Sequence, residues 1–179
     1  AVDTCKERGF EVEKENIFNL AKLFPEQSAD IFISNDVLYF LSEEEQVHVL
    51  DSAYRILRSQ GIFVLNLPAL EIFRGTHDIA VGIKSRFNRA QILRLINATQ
   101  FELQYFRFWP FFLSPVILVL RFLQRMQLLL ITNPSVESDI ALPSKMINKI
   151  LYYLCRIEWS ILKYAPFGSS VFIVLKKND

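Results

Sequence analysis

The chain has 179 residues, 51% of them hydrophobic and 22% charged, with a formal net charge of +1; that is ample for one packed core, and too balanced in charge for a disordered chain or a nucleic-acid surface. No run of Lys and Arg forms a phosphate-binding footprint, so no nucleic-acid partner is expected. Cys5 and Cys155 are the only cysteines and supply neither a disulfide framework nor a zinc set, so plain thiols, a reducing compartment and no metal are expected.

In chain order, AVDTCKERGF has neither an initiator Met nor a signal-peptide layout. It suits the end of a helix stopped by Gly9, and the sequence is expected to be the later part of a longer chain. FEVEKENI (10–17) alternates apolar and polar residues as a strand does, and ADIFISN (29–35) has the pattern of a strand buried on both faces. Ser42 and Glu45 form a capping box, and Val47, Leu50, Tyr54 and Leu57 recur at helical steps, predicting a helix that runs to Gly61. IFVLNLPA (62–69) is a second buried strand. The stretch PALEIFRGTHDIAVGIKSRF (68–87) reads as a long connection without clear secondary structure, a length typical of a lid or binding loop. Asn88 and Gln91 cap a further helix with Ile92, Leu95 and Ile96 on its apolar side; FELQYFRF (101–108) alternates again, and SSVFIVLKK (169–177) closes the chain.

Residues 109–168 read as an insertion before the last strand, with helices at about 115–131 and 144–164 joined by the polar TNPSVESDIALP (132–143). The apolar run FWPFFLSPVILVL (108–120) is 13 residues long with two prolines, short of the ~20 needed to span a bilayer. From Arg107 to Lys163 there are seven basic residues and three acidic ones, net +4. The second helix separates Lys145, Lys149, Arg156 and Lys163 from Met146, Ile147, Ile150, Leu151, Leu154, Ile157 and Ile161. Two readings stay open: the helices pack on each other and on the sheet, or 109–164 docks on an anionic membrane surface, with Trp109 and Trp159 as interfacial anchors.

Alternating strands and helices imply an open α/β sheet with helices on both faces, whose ligands bind beyond the carboxyl ends of the strands. Two stretches lie there: SNDVLYFL (34–41) and 68–87.

The order and spacing of these segments resemble the class I S-adenosylmethionine-dependent methyltransferases of the type 11 kind. SADIFISNDVLYFLSEEEQVHVLDSAYRILRSQGIFVLNLPA (28–69) resembles that family's fourth strand, following helix and fifth strand. GTHDIAVGIKSRF (75–87) and PFGSSVFIVLKK (166–177) look like segments of a bacterial subgroup with a hydrophobic helical insertion near the C-terminus. The resemblance implies a partial Rossmann-like sheet, residues 1–108 and 169–179, interrupted by the insertion 109–168. The family's glycine-rich loop and its ribose-binding acidic residue are expected upstream.

The resemblance further implies S-adenosylmethionine as cofactor, with Asn16 and Ile17 at its adenine and Ser34, Asn35 and Asp36 at its methionine part. Tyr39 and Phe40 stand where the family carries Glu-His, which favours a more apolar acceptor pocket without an acid/base or metal-binding pair. Methyl transfer from a sulfonium is a direct displacement, so the protein positions the reactants and removes a proton from the acceptor. His77 is the candidate base or acceptor contact, oriented by a nearby carboxylate, Asp78, with Arg86 binding an anionic part of the substrate and Phe87 closing the lid. Alternatively His77, Asp78 and Arg86 form a hydrogen-bonded clasp that holds the loop over the sheet. The expected acceptor is a small molecule, a sugar or a lipid-linked group, and the expected location is the cytoplasm or the inner face of the membrane. The rival expectation is a non-catalytic domain that binds a partner or a membrane.

Overall fold

The computed structural model describes residues 2–130 and 143–178, with 127–130 described by backbone alone. The linker 132–143 thus lies outside the described residues except for its last position.

Helix α1 (Val2–Glu7) ends where expected: Gly9 has a φ of +80°, and its N–H reaches the Lys6 carbonyl. The strand expected at 10–17 is absent. Residues 10–16 have no strand partner, and Ile17–Asn19 form a single tight turn leading into α2 (Leu20–Leu23). Alternation names the faces a strand would have, but a ladder of hydrogen bonds needs a neighbour.

Strand β1 (Ala29–Asn35) pairs in parallel with β2 (Leu57–Pro68). Its expected burial on both faces is not met, because Ile31 and Ile33 are 58% and 66% exposed while Ser34 on the other face is buried. An apolar run fixes hydrophobicity, whereas covering each face depends on what packs there. Between the strands lies α3 (Glu43–Ile56), capped as predicted: the Ser42 Oγ accepts from the Glu45 N–H at 3.3 Å, and a Glu45 carboxylate oxygen accepts from the Ser42 N–H at 2.7 Å. The backbone N–H of Ser42 holds the Glu45 carboxyl below its ordinary value.

This helix stops at Ile56, five residues short of Gly61, because Leu57 turns extended to pair with Ala29. The Lys177 ammonium then bonds the carbonyls of Tyr54 and Leu57, each at 2.8 Å, satisfying the helix end. The buried face is Val49, Leu50, Ala53 and Ile56, with Val47 and Tyr54 at its flanks. Gln46 is buried too, because its amide donates to the Leu38 and Leu41 carbonyls at 3.1 and 3.0 Å.

The four-stranded sheet has the order β1-β2-β4-β3, with β3 at Glu102–Trp109 and β4 at Ser170–Lys176. The closing strand β4 slots between β2 and β3, antiparallel to both, so only β1 and β2 pair in parallel. One face buries Phe63, Leu65, Leu67, Ile173 and Leu175 in a core completed by α3 and by α5 (Arg89–Asn97), which the Asn88–Gln91 pair caps at 2.9 Å in both directions. The stretch 68–87 is more ordered than its composition suggests: it folds into a turn at Glu71–Phe73 and the short helix α4 (Thr76–Val81).

The insertion contributes α6 (Ser114–Leu130) and α7 (Lys145–Ile161). Helix α6 lies on the lid. Its Arg125 guanidinium donates to the carbonyls of Ile72 and Arg74 at 2.6 and 3.0 Å, and a Cβ at Gly75 would collide with the Arg121 side chain. Helix α7 is fastened to β3 by a pair of charges that side-chain type alone would leave on the surface. Arg107 and Glu158 are each 1% exposed, and the Arg107 Nη2 donates to the Glu158 carbonyl at 3.1 Å and lies 3.5 Å from its carboxylate. The Phe112 N–H donates to the same carboxylate at 2.8 Å, and the Arg107 guanidinium sits 4.4 Å from the centroid of Trp159.

Removing one member of a buried ion pair leaves the other charged and uncompensated, which typically costs about 3–5 kcal/mol. Arg107→Ala is therefore expected to lower the stability of the protein by an amount of that order in urea denaturation. Arg107→Met with Glu158→Leu is expected to recover part of the loss; a double variant no more stable than Arg107→Ala would count against this account.

Candidate functional site

Beyond the carboxyl ends of β1 and β2, a cavity of about 300 Å³ is bordered by Asp36, Tyr39, Pro68, Phe73, His77, Ile83, Arg86, Ile117, Arg121, Ser169 and Ser170. Four sequence-predicted residues, Asp36, Tyr39, His77 and Arg86, thus meet around one space, although 50 residues of chain separate Asp36 from Arg86.

Asp36 leaves β1 with a φ of +52°, the left-handed region that short polar side chains tolerate better than most. Its N–H donates to the Asn66 carbonyl at 3.0 Å, and its carboxylate accepts from the Asn66 amide at 3.3 Å. Asn66 in turn accepts from the Trp109 indole N–H at 3.0 Å, so neighbouring strands hold the β1 turn. Desolvation raises the Asp36 carboxyl above its ordinary value, against the Asn66 hydrogen bond and the nearby charge of His77, which lower it. Tyr39 is buried, and burial, with Asp36 and Asp78 nearby, raises its phenol.

Asp78 is wholly buried. Its two carboxylate oxygens accept from the Arg86 Nε and Nη2 at 2.6 and 3.1 Å, and one of them also accepts from the Gly75 N–H at 2.8 Å. The Arg86 Nη1 donates to the carbonyls of Ala69 and Ser169, each at 3.0 Å. All three guanidinium nitrogens are thereby engaged within the protein, in a clasp joining the ends of β2 and β4 to α4. Around it, Glu71 accepts from the Arg86 N–H at 3.0 Å and pairs with Arg74 at 2.6 Å, and the Arg74 guanidinium chiefly holds the Glu71 carboxyl below its ordinary value. Phe87 is 4% exposed and belongs to the core; its backbone bonds Pro68 and Leu70 at 2.9 and 3.1 Å. His77 stands one residue before Asp78, on the cavity side.

The remaining predicted residues lie elsewhere. Asn16 and Ile17 border a separate open depression with Phe10, Leu20, Leu23 and Phe24. Asn35 is exposed at the end of β1, whereas Ser34 is 5% exposed and its hydroxyl has no hydrogen-bond partner among the described residues. Sequence reasoning missed Asn66, Ile117, Arg121, Ser169 and Ser170. A polar residue inside the otherwise apolar strand 62–69 was the legible signal for Asn66, but nothing in the chain order placed α6 beside the lid.

Residues 1–65 match the model of a methyltransferase domain family, Methyltransf_11. A search of curated proteins finds no match. Among solved structures, the chain is similar to an S-adenosylmethionine-dependent methyltransferase from Archaeoglobus fulgidus, with 15% identity and a TM-score of 0.56 over 98% of this chain and 80% of that one. It is also similar to a methyltransferase from Thermotoga maritima described as a possible histamine N-methyltransferase, with 16% identity and a TM-score of 0.57 over 99% and 69%. A third, the cyclase SpnF, has 14% identity and a TM-score of 0.53 over 98% and 60% of the two chains. The chain therefore has the fold of the class I S-adenosylmethionine-dependent methyltransferases, and its first 65 residues match the model of a methyltransferase domain.

The raised carboxyl gives a test of the Asp36 environment. A group whose folded pKa is raised adds stability that is fully present below its unfolded pKa and is lost as pH rises through the folded one. Asp36→Asn is accordingly expected to raise the melting temperature near neutral pH. The advantage should shrink below the ordinary carboxylate range, where both side chains are neutral; a difference independent of pH would instead reflect only the preference of Asn for left-handed backbone.

Proposed function

We propose that the protein transfers a methyl group from S-adenosylmethionine to a small-molecule, sugar or lipid-linked acceptor held in the cavity between β1, the lid and α6. The observation that carries this reading is the convergence of Asp36, Tyr39 and His77 on one space beyond the carboxyl ends of β1 and β2, in a fold of the methyltransferase class. The match of residues 1–65 to a methyltransferase domain supports it.

Two of the candidate cofactor residues, both outside the lining of that cavity, suit such a role. The buried Ser34 hydroxyl at the end of β1 has no hydrogen-bond partner among the described residues, as suits a group that completes its bonding with a polar ligand. The Asn16 side-chain amide oxygen accepts one hydrogen bond, from the Phe18 N–H at 3.0 Å, and retains a second lone pair for an adenine amine. Asn16, Ile17, Ser34, Asn35 and Asp36 would hold the cofactor. When bound, it supplies a methyl group already activated as a sulfonium.

The chain's own residues then have positional roles. Tyr39, Phe73, Ile83 and Ile117 form the apolar part of the cavity's lining, against which the acceptor packs. His77 takes the proton that the acceptor loses, at a cavity it shares with Asp36. Asp78 and Arg86 keep the lid in place, so the geometry around His77 is set before the acceptor arrives.

Calorimetric titration of the full-length protein with S-adenosylhomocysteine is expected to give saturable binding, and its absence at millimolar ligand would sink the reading. His77→Ala is expected to lower kcat on the order of a hundredfold while leaving S-adenosylhomocysteine affinity unchanged. If His77 served only to hold the lid, the melting temperature would fall instead and kcat at permissive temperature would be kept.

A further inference from the structure

Helix α7 buries Glu158, half-buries Leu151, Leu154 and Cys155, and is open elsewhere. On its open side Met146, Ile150, Tyr153, Ile157 and Ile161 follow one another at steps of three and four residues, which is one helical face, and each is between 47% and 72% exposed. Beside this stripe run Lys145, Lys149 and Arg156, all exposed. The one acidic residue from Pro143 to Tyr164 is Glu158, buried against Arg107, so the open face carries positive charge only. Helix α6 adds an apolar exposed side without free cations, its two arginines being turned to the stretch 68–87. Ile117 and Arg121 border the cavity, while Val116, Val119, Leu120, Phe122 and Leu123 are 51–61% exposed, and no acidic residue occurs in the helix. No helix among the described residues is long and apolar enough to cross a membrane.

We infer that α6 and α7 dock the protein on an anionic lipid surface, lying in the interface with their apolar stripes in the acyl boundary. The observations select this occupant on two grounds. An apolar stripe flanked by unopposed Lys and Arg is complementary to a hydrocarbon layer edged by anionic headgroups. A soluble partner's apolar patch would offer nothing to three exposed cations lining one edge of the stripe. The docking also bears on the acceptor, and this half rests on the proposed methyl transfer. Because α6 is at once a wall of the cavity and an apolar exposed helix, docking it sets the cavity beside the bilayer. The acceptor is then the polar head of a lipid or lipid-linked molecule presented from the interface, reaching His77 past Ile117 and Arg121.

The test is flotation of the full-length protein with vesicles of phosphatidylcholine, with and without about a quarter phosphatidylglycerol, at low salt and at about 0.5 M salt. The wild type is expected to float with the anionic vesicles at low salt and to be largely released at high salt. Ile150→Glu with Ile157→Glu, both at exposed positions, is expected to reduce the bound fraction roughly tenfold or more. The variant's melting temperature and S-adenosylhomocysteine affinity should be unchanged. Failure of the wild type to float, flotation of the variant equal to the wild type, or a wild-type dimer by light scattering that the variant abolishes would each overturn the docking. Flotation without S-adenosylhomocysteine binding would leave the docking standing and overturn the lipid-acceptor half together with the proposed function.

Discussion

The Arg86 guanidinium bonds both oxygens of Asp78 and the carbonyls of Ala69 and Ser169, and the candidate site depends on that one set of contacts. Ala69 follows β2, Asp78 sits in α4 and Ser169, 83 residues from Arg86, precedes β4, so two nearby segments and one distant one end at a single side chain. A buried guanidinium is tolerable only when its donors are matched by acceptors in the right geometry, and a carboxylate with two carbonyls provides that match. The lid is consequently a fixed part of the site, with His77 held one residue from the anchor.

The same device recurs on the other side of the insertion. Arg107 and Glu158 bury opposite charges between β3 and α7, and Trp159 packs against Arg107, Tyr105 and Phe172. One end of α7 is thereby attached to the sheet while the rest is free to offer its apolar stripe outward. Helix α6 is attached differently, through Arg121 and Arg125 on the lid. Both attachments use arginines from the basic excess of residues 107–163, so part of that excess is structural and most of the remainder lies along the exposed face of α7.

The strand order places the site as much as any side chain does. Because β4 enters between β2 and β3, Ser169 and Ser170 arrive at the carboxyl end of β2, and the loop from β2 folds back over them. A sheet paired in simple chain order would have put β3 in that position and closed a different cavity.

Much of this was determined by the sequence itself. The capping boxes at Ser42 and Asn88, the stop at Gly9, the apolar face around Leu50, and the extents of α6 and α7 are local: hydrogen bonds within four residues and a period of 3.6 decide them. That the stretches 34–41 and 68–87 end up at one end of the sheet, bordering the same cavity, was legible because alternating strands and helices leave few other positions. Tertiary structure alone decided the rest. Residues 10–16 have a strand's alternation and no partner; Ile31 and Ile33 are apolar and uncovered; Leu57 leaves a helix to pair with Ala29. Arg107 and Glu158 give no local sign of burial until distant segments bring them together; for Arg86 the sequence left anion binding and a clasp both open, and the fold adds the Ser169 carbonyl to its contact with Asp78. Hydrophobic period is a property of neighbours in the chain, whereas pairing, covering and charge compensation are properties of neighbours in space, and only the folded chain brings those together.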